Sequence, residues 1–316
     1  MKLVVITGCL GLIGSHLTKK CLDLGWQVYG IDSLTYAANQ HLIPFFQRYD
    51  NFAFVKEDIA TLSYLPDCDY VINVAAESHV GNSIVDSEDF IHTNVGGVKN
   101  LLDLIRKKQK NVDDLPVFLH FSTDEVYGDI AEGSHTELDI LNPSNPYSAS
   151  KACSDMLILA WARTYKMKYA IVRPTNNYGV GQYPEKLIPI SVKMLQRGKK
   201  IKLHDEGEPS RNWLHADDTA SAVIAIIESG NTNEIYNIAG GFEQKNKQTV
   251  NKIVQCYFED ERDSKDYVDL GFKREGQDVR YSLDDSKLRA LGWEPKKNFD
   301  DELQNIVEYY KNNFKW

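Results

Sequence analysis

Two groups of residues in this 316-residue chain have the types and spacing for bond-making chemistry: Ser122-Thr123-Asp124-Glu125 and Tyr147-x-x-x-Lys151. Four apart on a helix, the phenol and the amine share a face about one turn apart. An ammonium beside a phenol favours the ionised form, so Lys151 is expected to lower the pKa of Tyr147. Tyr147 could then take a proton from a substrate hydroxyl while the hydroxyl's carbon gives up a hydride, with Thr123 adding a hydroxyl hydrogen bond to the same oxygen. Oxidation alone does not need two further carboxyl groups. Removing water does, because one group protonates the leaving hydroxyl while another removes a carbon-bound proton. Asp124 and Glu125 therefore point to a dehydration. Each pair also has a plain reading, as an i,i+4 surface contact or as acids favouring a helix start.

These side chains need a scaffold, and the first half of the chain supplies its pattern. Short apolar runs at Leu3–Ile6, Gln27–Ile31, Phe52–Val55, Tyr70–Val74, Val117–Phe121 and Tyr169–Val172 alternate with amphipathic stretches near 12–24, 82–108 and 147–166. Such alternation predicts an α/β fold, a doubly wound parallel sheet with helices on both faces. After Arg173-Pro174 the loops lengthen and the elements mix. Helices are expected near 184–197, 217–228, 247–259 and 299–313, with strands at 201–203 and 235–238. The expected division is a cofactor-binding domain of residues 1–175 plus roughly 213–240. A smaller, mixed α/β substrate domain would take roughly 176–212 and 241–316.

Thr7-Gly8-x-x-Gly11-x-x-Gly14 directly follows the first apolar run and opens the first helix. Glycines there allow a tight turn and bring backbone N–H groups close to a pyrophosphate at the helix start, with Leu12 and Ile13 in its first turn. Asp32 ends the second strand, about 20 residues on, where a carboxylate can accept from ribose hydroxyls. It would repel a 2′-phosphate, and no arginine follows, so NAD is favoured over NADP. Asp58 and Ile59 end the third strand, near the expected adenine.

A net charge of -9 with scattered Lys and Arg argues against a nucleic-acid partner. The basic run Arg106-Lys107-Lys108-Gln109-Lys110 reads as the solvated end of a helix. Cys9, Cys21, Cys68, Cys153 and Cys256 are scattered, which suits reduced thiols rather than disulfides or zinc. The histidines lack paired spacing, and no metal is expected. Cys153 is expected to serve packing, His79 and His120 structure, and Trp26, Trp161 and Trp293 the core. No apolar run approaches a membrane span, and a first strand starting at Lys2 is expected to leave no room for a leader. A cytoplasmic protein without a membrane partner is expected.

On these residues the chain resembles the extended short-chain dehydrogenase/reductase (NAD-dependent epimerase/dehydratase) family, and within it most closely the dTDP-glucose 4,6-dehydratases. The shared segments are Ile31 to Ala37, Ala75-Ala76-Glu77-Ser78-His79-Val80, His120 to Gly128, Asn145 to Lys151, Asn176-Asn177-Tyr178-Gly179, Pro184 to Pro189, Arg211 to His215, and Asp278-Val279-Arg280-Tyr281. The resemblance implies a Rossmann-type fold and an internal redox cycle on a nucleotide sugar. The C4 hydroxyl is oxidised with the help of Thr123, Tyr147 and Lys151. Glu125 then removes the C5 proton, Asp124 protonates the departing C6 hydroxyl, and the hydride returns to C6. It also implies that Ala75 and Ala76 line the cofactor, and that Ser78, His79, Asn176, Lys186, Leu187, Arg211, Asn246 and Arg280 bind the sugar nucleotide. Lys186 and Arg211 suit its phosphates, and a homodimer built through two paired helices is implied as well. The chain departs from the family's pattern at Gly81-Asn82, Val180 and Gln277. Three alternatives stand beside this reading: the same reaction on UDP-glucose, a nucleotide-sugar 4-epimerase that would not need the acid pair, and a non-catalytic NAD-binding sensor.

Overall fold

In the computed structural model, which describes residues 1–108, 115–272 and 278–313, a seven-stranded sheet forms the centre of the molecule. Its strands are β1 (Leu3–Thr7), β2 (Gln27–Asp32), β3 (Phe52–Lys56), β4 (Tyr70–Asn73), β5 (Val117–Phe121), β6 (Tyr169–Pro174) and β10 (Glu234–Ile238). The order is β10-β6-β5-β4-β1-β2-β3, and every pairing is parallel. Alternation along each strand explains why both faces are apolar: Val4 and Ile6 enter one core, Val5 the other. Strand order reverses between β1 and β4, which opens a crevice beyond their C-terminal ends, where ligands of such sheets bind.

Helix α1 (Leu12–Asp23) packs with α8 (Ala216–Ser229) on one face, and α5 (Val98–Lys107) with α6 (Pro146–Tyr165) on the other. Asn145 fixes the start of α6: its side chain accepts from the Ser148 N–H, the Ser148 hydroxyl answers the Asn145 N–H, and Pro146 pre-sets the first turn. The basic run at the end of α5 is described only as far as Lys108; Gln109 and Lys110 lie outside the described residues.

The single helix expected over 82–108 is broken. After the short α2 (Ile43–Phe46), the chain forms α3 (Val80–Val85), α4 (Glu88–Phe90) and a π-helical turn over Ile91–Gly97 before α5. Asp86 leaves helical geometry and its carboxylate accepts from the Glu88 N–H at 3.0 Å. The Ser154 hydroxyl of α6 takes the Asn94 carbonyl at 2.6 Å, drawing it away from its own helix.

Beyond β6 the chain builds a second layer. β7 (Asn176–Tyr178), β9 (Ser210–His215) and β11 (Phe242–Lys245) form a three-stranded sheet, and β8 (Ile201–His204) pairs with β12 (Val268–Phe272). Helices α7 (Leu187–Gln196), α9 (Asn246–Phe258) and α11 (Phe299–Asn312) enclose their core with Tyr178, Trp213 and Phe299. The sequence pattern shows neither β7, β9, β11 nor β12, all short and largely polar. Residues 213–215 end β9 in the small sheet, whereas α8 and β10 return to the large one. Around α10 (Ser286–Arg289) the chain returns once more, and Leu288 and Trp293 join the core beneath α1 and α8. Trp26 is buried as expected and Trp161 is partly buried, but Cys153 is exposed on α6 rather than packed.

Candidate active site

A cavity of about 830 Å³ runs along the crevice, from the glycine turn past β4 and β5 to the second layer. Its floor is backbone. Gly8 has φ +65°, and a Cβ there would lie 2.7 Å from the Ala75 backbone; one on Gly14 would lie 2.0 Å from the Gly8 carbonyl oxygen. No side chain caps the first turn of α1, and Gly8, Gly11, Leu12, Ile13 and Gly14 all line the cavity. This surface, without side chains and ending at a helix N-terminus, fits a diphosphate. The Asp32 carboxylate is buried and held by the N–H groups of Leu10 (3.0 Å) and Leu34 (2.9 Å). Asp58, Ile59, Ala75 and Ala76 complete this end.

At the chemical end, Thr123 follows β5 and caps a 3-10 turn over Asp124–Tyr127, accepting from the Glu125 N–H at 3.3 Å. The turn presents Asp124 and Glu125 to the cavity facing Tyr147 and Lys151 from α6. Burial and the neighbouring charge of Glu125 push Asp124 up to about 7. One of its oxygens accepts from the Thr123 hydroxyl at 3.0 Å; the other is buried with no protein partner. Burial raises Glu125 as well, but an Asn145 hydrogen bond at 3.2 Å and the charges of Arg211 and Lys186 oppose the shift. The two adjacent acids thus sit in different environments: the Asn145 hydrogen bond and the charge of Lys186 favour the ionised form of Glu125, and Asp124 has neither.

The expectation for Tyr147 is corrected. Its pKa is raised, because burial and the charges of Glu125 and Asp124 outweigh the hydrogen bond from Thr123. Lys151 turns to His120, with Nζ 3.3 Å from Nε2, and burial lowers the amine to about 8.

At the far end, Ser78, His79, Asn176, Lys186, Leu187, Arg211 and Asn246 line the cavity. Lys186 donates to the Ser78 carbonyl at 2.9 Å, and the His79 ring caps α3 by accepting from the Asn82 N–H at 3.0 Å. The Arg211 guanidinium lies over the Tyr281 ring and donates to the carbonyls of Ser210 and Asp278. Buried side-chain oxygens of Asn176 and Asn246 have no protein partner, which is what a polar ligand would satisfy. Arg280 is not brought to this wall; Glu243 holds it at 2.8 and 3.0 Å. Gln277 lies outside the described residues. Sequence reasoning missed Tyr281, whose hydroxyl is 3.5 Å from Glu125 and also donates to Asp278, and the contact of Asn145 with Glu125. Both residues fall in segments shared with the resembled family, Asn145 to Lys151 and Asp278 to Tyr281, and that is the signal that could have found them. Among the described residues no His, Cys, Asp and Glu side chains group as a metal site would require.

A family model described as GDP-mannose 4,6 dehydratase matches residues 5–306. This chain belongs to that family. Relatives within it include the low-salt glycan biosynthesis protein Agl12 of Haloferax volcanii, 38% identical over 97% of this chain and 98% of the relative. The dTDP-glucose 4,6-dehydratase of Haemophilus influenzae is also 38% identical, over 97% of both chains. Among solved structures, the dTDP-glucose 4,6-dehydratase DesIV of Streptomyces venezuelae, with NAD bound, superposes with a TM-score of 0.90 at 36% identity, covering 98% of this chain and 97% of that one. A UDP-glucose 4-epimerase of Thermotoga maritima superposes at 0.85 with 25% identity, covering 99% of this chain and 100% of that one. Fold is therefore shared across dehydratases and epimerases.

Proposed function

We propose that the chain is an NAD-dependent nucleotide-sugar 4,6-dehydratase, a hydro-lyase that converts dTDP-glucose to dTDP-4-keto-6-deoxyglucose for deoxysugar biosynthesis. The observation that carries this reading is Asp124. It is a buried carboxyl group with one unpartnered oxygen and a pKa near 7, beside Glu125 and in the cavity that Tyr147 shares. The backbone turn at Gly8–Gly14, Asp32, Asp58, Ile59, Ala75 and Ala76 would hold NAD, which when bound supplies the acceptor for a hydride from C4 and the donor for C6.

Tyr147, with Thr123 hydrogen-bonded to the phenol and Lys151 behind it, takes the proton of the C4 hydroxyl as the phenolate, a form that burial and the two carboxyl groups oppose and that the positive charge of bound NAD would favour. A ketone at C4 acidifies the C5 hydrogen, which Glu125 removes. Asp124 gives its proton to the C6 hydroxyl, which leaves as water, and Glu125 later returns a proton to C5. Tyr147 and Asp124 recover their starting states by exchange with solvent. Lys186 and Arg211 hold the diphosphate, and Asn176 and Asn246 hydrogen-bond the sugar nucleotide.

In this division of labour, the large sheet with its helices, including α8, β10 and the return around Leu288 and Trp293, serves the cofactor, and the second layer the nucleotide sugar. No helix among the described residues is long and apolar enough to cross a membrane, and five free thiols suit a reducing cytoplasm. The exposed apolar side chains Ile91 and Met156 on the α5–α6 layer support a homodimer through that face. An epimerase would not depend on Asp124. Asp124→Asn therefore tests the assignment: a dehydratase loses water elimination, while an epimerase keeps turnover.

A further inference from the structure

Behind Lys151 lies a buried row of polar side chains that the reaction as described does not use. Lys151 Nζ is 3.3 Å from His120 Nε2, His120 Nδ1 is 3.0 Å from the Asn73 amide nitrogen, and the Thr7 hydroxyl donates to the Asn73 amide oxygen at 2.6 Å. All four residues are buried, and they come from α6, β5, β4 and β1. The row runs beneath the crevice, because Thr7 also accepts from the Ala75 N–H at 3.3 Å.

We propose that His120 is a positioning residue for Lys151, holding its side chain against the floor of the site in either charge state. A neutral imidazole has one N–H and one lone pair. When Lys151 is an ammonium it donates to Nε2, the ring proton sits on Nδ1, and the Asn73 amide turns its oxygen to meet it. When Lys151 is a neutral amine, Nε2–H donates to it and Nδ1 accepts from the Asn73 nitrogen. A half-turn of one amide switches between the two. A protonated imidazole would set an N–H against the ammonium, and burial with the charges of Lys151 and Arg173 keeps His120 neutral. The other ionisable groups around the amine are Tyr147 and Asp155 on α6. The Asp155 charge favours the ammonium, although Asp155 is itself ion-paired to Arg173 of β6 at 2.9 Å.

This inference rests on the proposed role of Lys151, so the test carries a Lys151→Met control. The full chain is assayed on dTDP-glucose across pH. In His120→Asn the shorter amide can still meet Asn73 but not Lys151; in His120→Gln the amide reaches the place of Nε2. The expected result for His120→Asn is a kcat lower by about tenfold or more, KM within about twofold, and the second alkaline step, that of Lys151 near 8, moved to lower pH, because the charge-assisted bond to the ammonium is the stronger of the two lost, while the Asp124 step near 7 stays. His120→Gln should recover most of kcat and the original step. The proposal is overturned if His120→Asn keeps the wild-type kcat and profile. It is equally overturned if both variants lose rate alike with an unchanged profile, the signature of a merely structural role. Turnover surviving in Lys151→Met would instead overturn the role of Lys151 itself, and this inference with it.

Discussion

At the scale of single residues, the chemistry rests on side chains whose charge states are set by burial and by one another, Asp124 beside Glu125 and both facing Tyr147. Tyr147, Lys151, Thr123, Asp124 and Glu125 are recognisable because reactive groups stand at the spacing of a helix face and a strand end. Their ionisation depends on burial, which a sequence does not display: Tyr147 is raised, not lowered, because it is buried and because the charges of Glu125 and Asp124 face it, while Lys151 leans to His120. Tyr147→Phe removes the proton acceptor for the C4 hydroxyl, so kcat should fall by about 10²-fold or more with nucleotide affinity preserved. A steady-state assay beside a dTDP titration checks this. Asp124 acts as an acid only while protonated, so kcat/KM should fall as pH rises through about 7, ahead of proton loss from Lys151 near 8. Asp124→Asn should cost about 10²–10⁴ in water loss. Its effect on stability has a definite sign. Asp124 binds its proton more tightly folded, about 7 against 3.8, so its contribution is full below pH about 4, declines up to about 7 and then levels. The Tm gain of Asp124→Asn should grow across that window in melts taken at intervals of pH.

At the scale of elements, the strands of the large sheet are apparent in the sequence because both their faces are buried, which makes them continuous apolar runs. The small strands β7, β9, β11 and β12 are not, since their pairing comes from distant partners rather than from their own pattern. The helix expected over 82–108 fails for the same reason: Ser154, sixty residues away in the hydrogen-bonded pair, takes the Asn94 carbonyl. The glycine turn is the opposite case, where a local motif fixes a tertiary contact. Gly14→Ala would place a Cβ 2.0 Å from the Gly8 carbonyl. The turn must then move, at a cost of about 1–3 kcal/mol, and NAD affinity should drop sharply in a fluorescence titration while the secondary structure seen by circular dichroism is kept.

At the scale of the whole molecule, the crevice is where sheet and second layer meet, and the sequence indicates the returning segment near 213–240 but not the second return at Leu288 and Trp293. The proposed homodimer places Met156, exposed on α6, in its interface, so Met156→Asp should shift the chain toward monomer in light scattering. Substrate is tested most directly by mass spectrometry of the sugar nucleotide after the purified chain is incubated with dTDP-glucose and, in parallel, UDP-glucose. The account predicts loss of one water, faster from dTDP-glucose. An unchanged mass with conversion to the galacto isomer would contradict it and return Asp124 and Glu125 to a structural role.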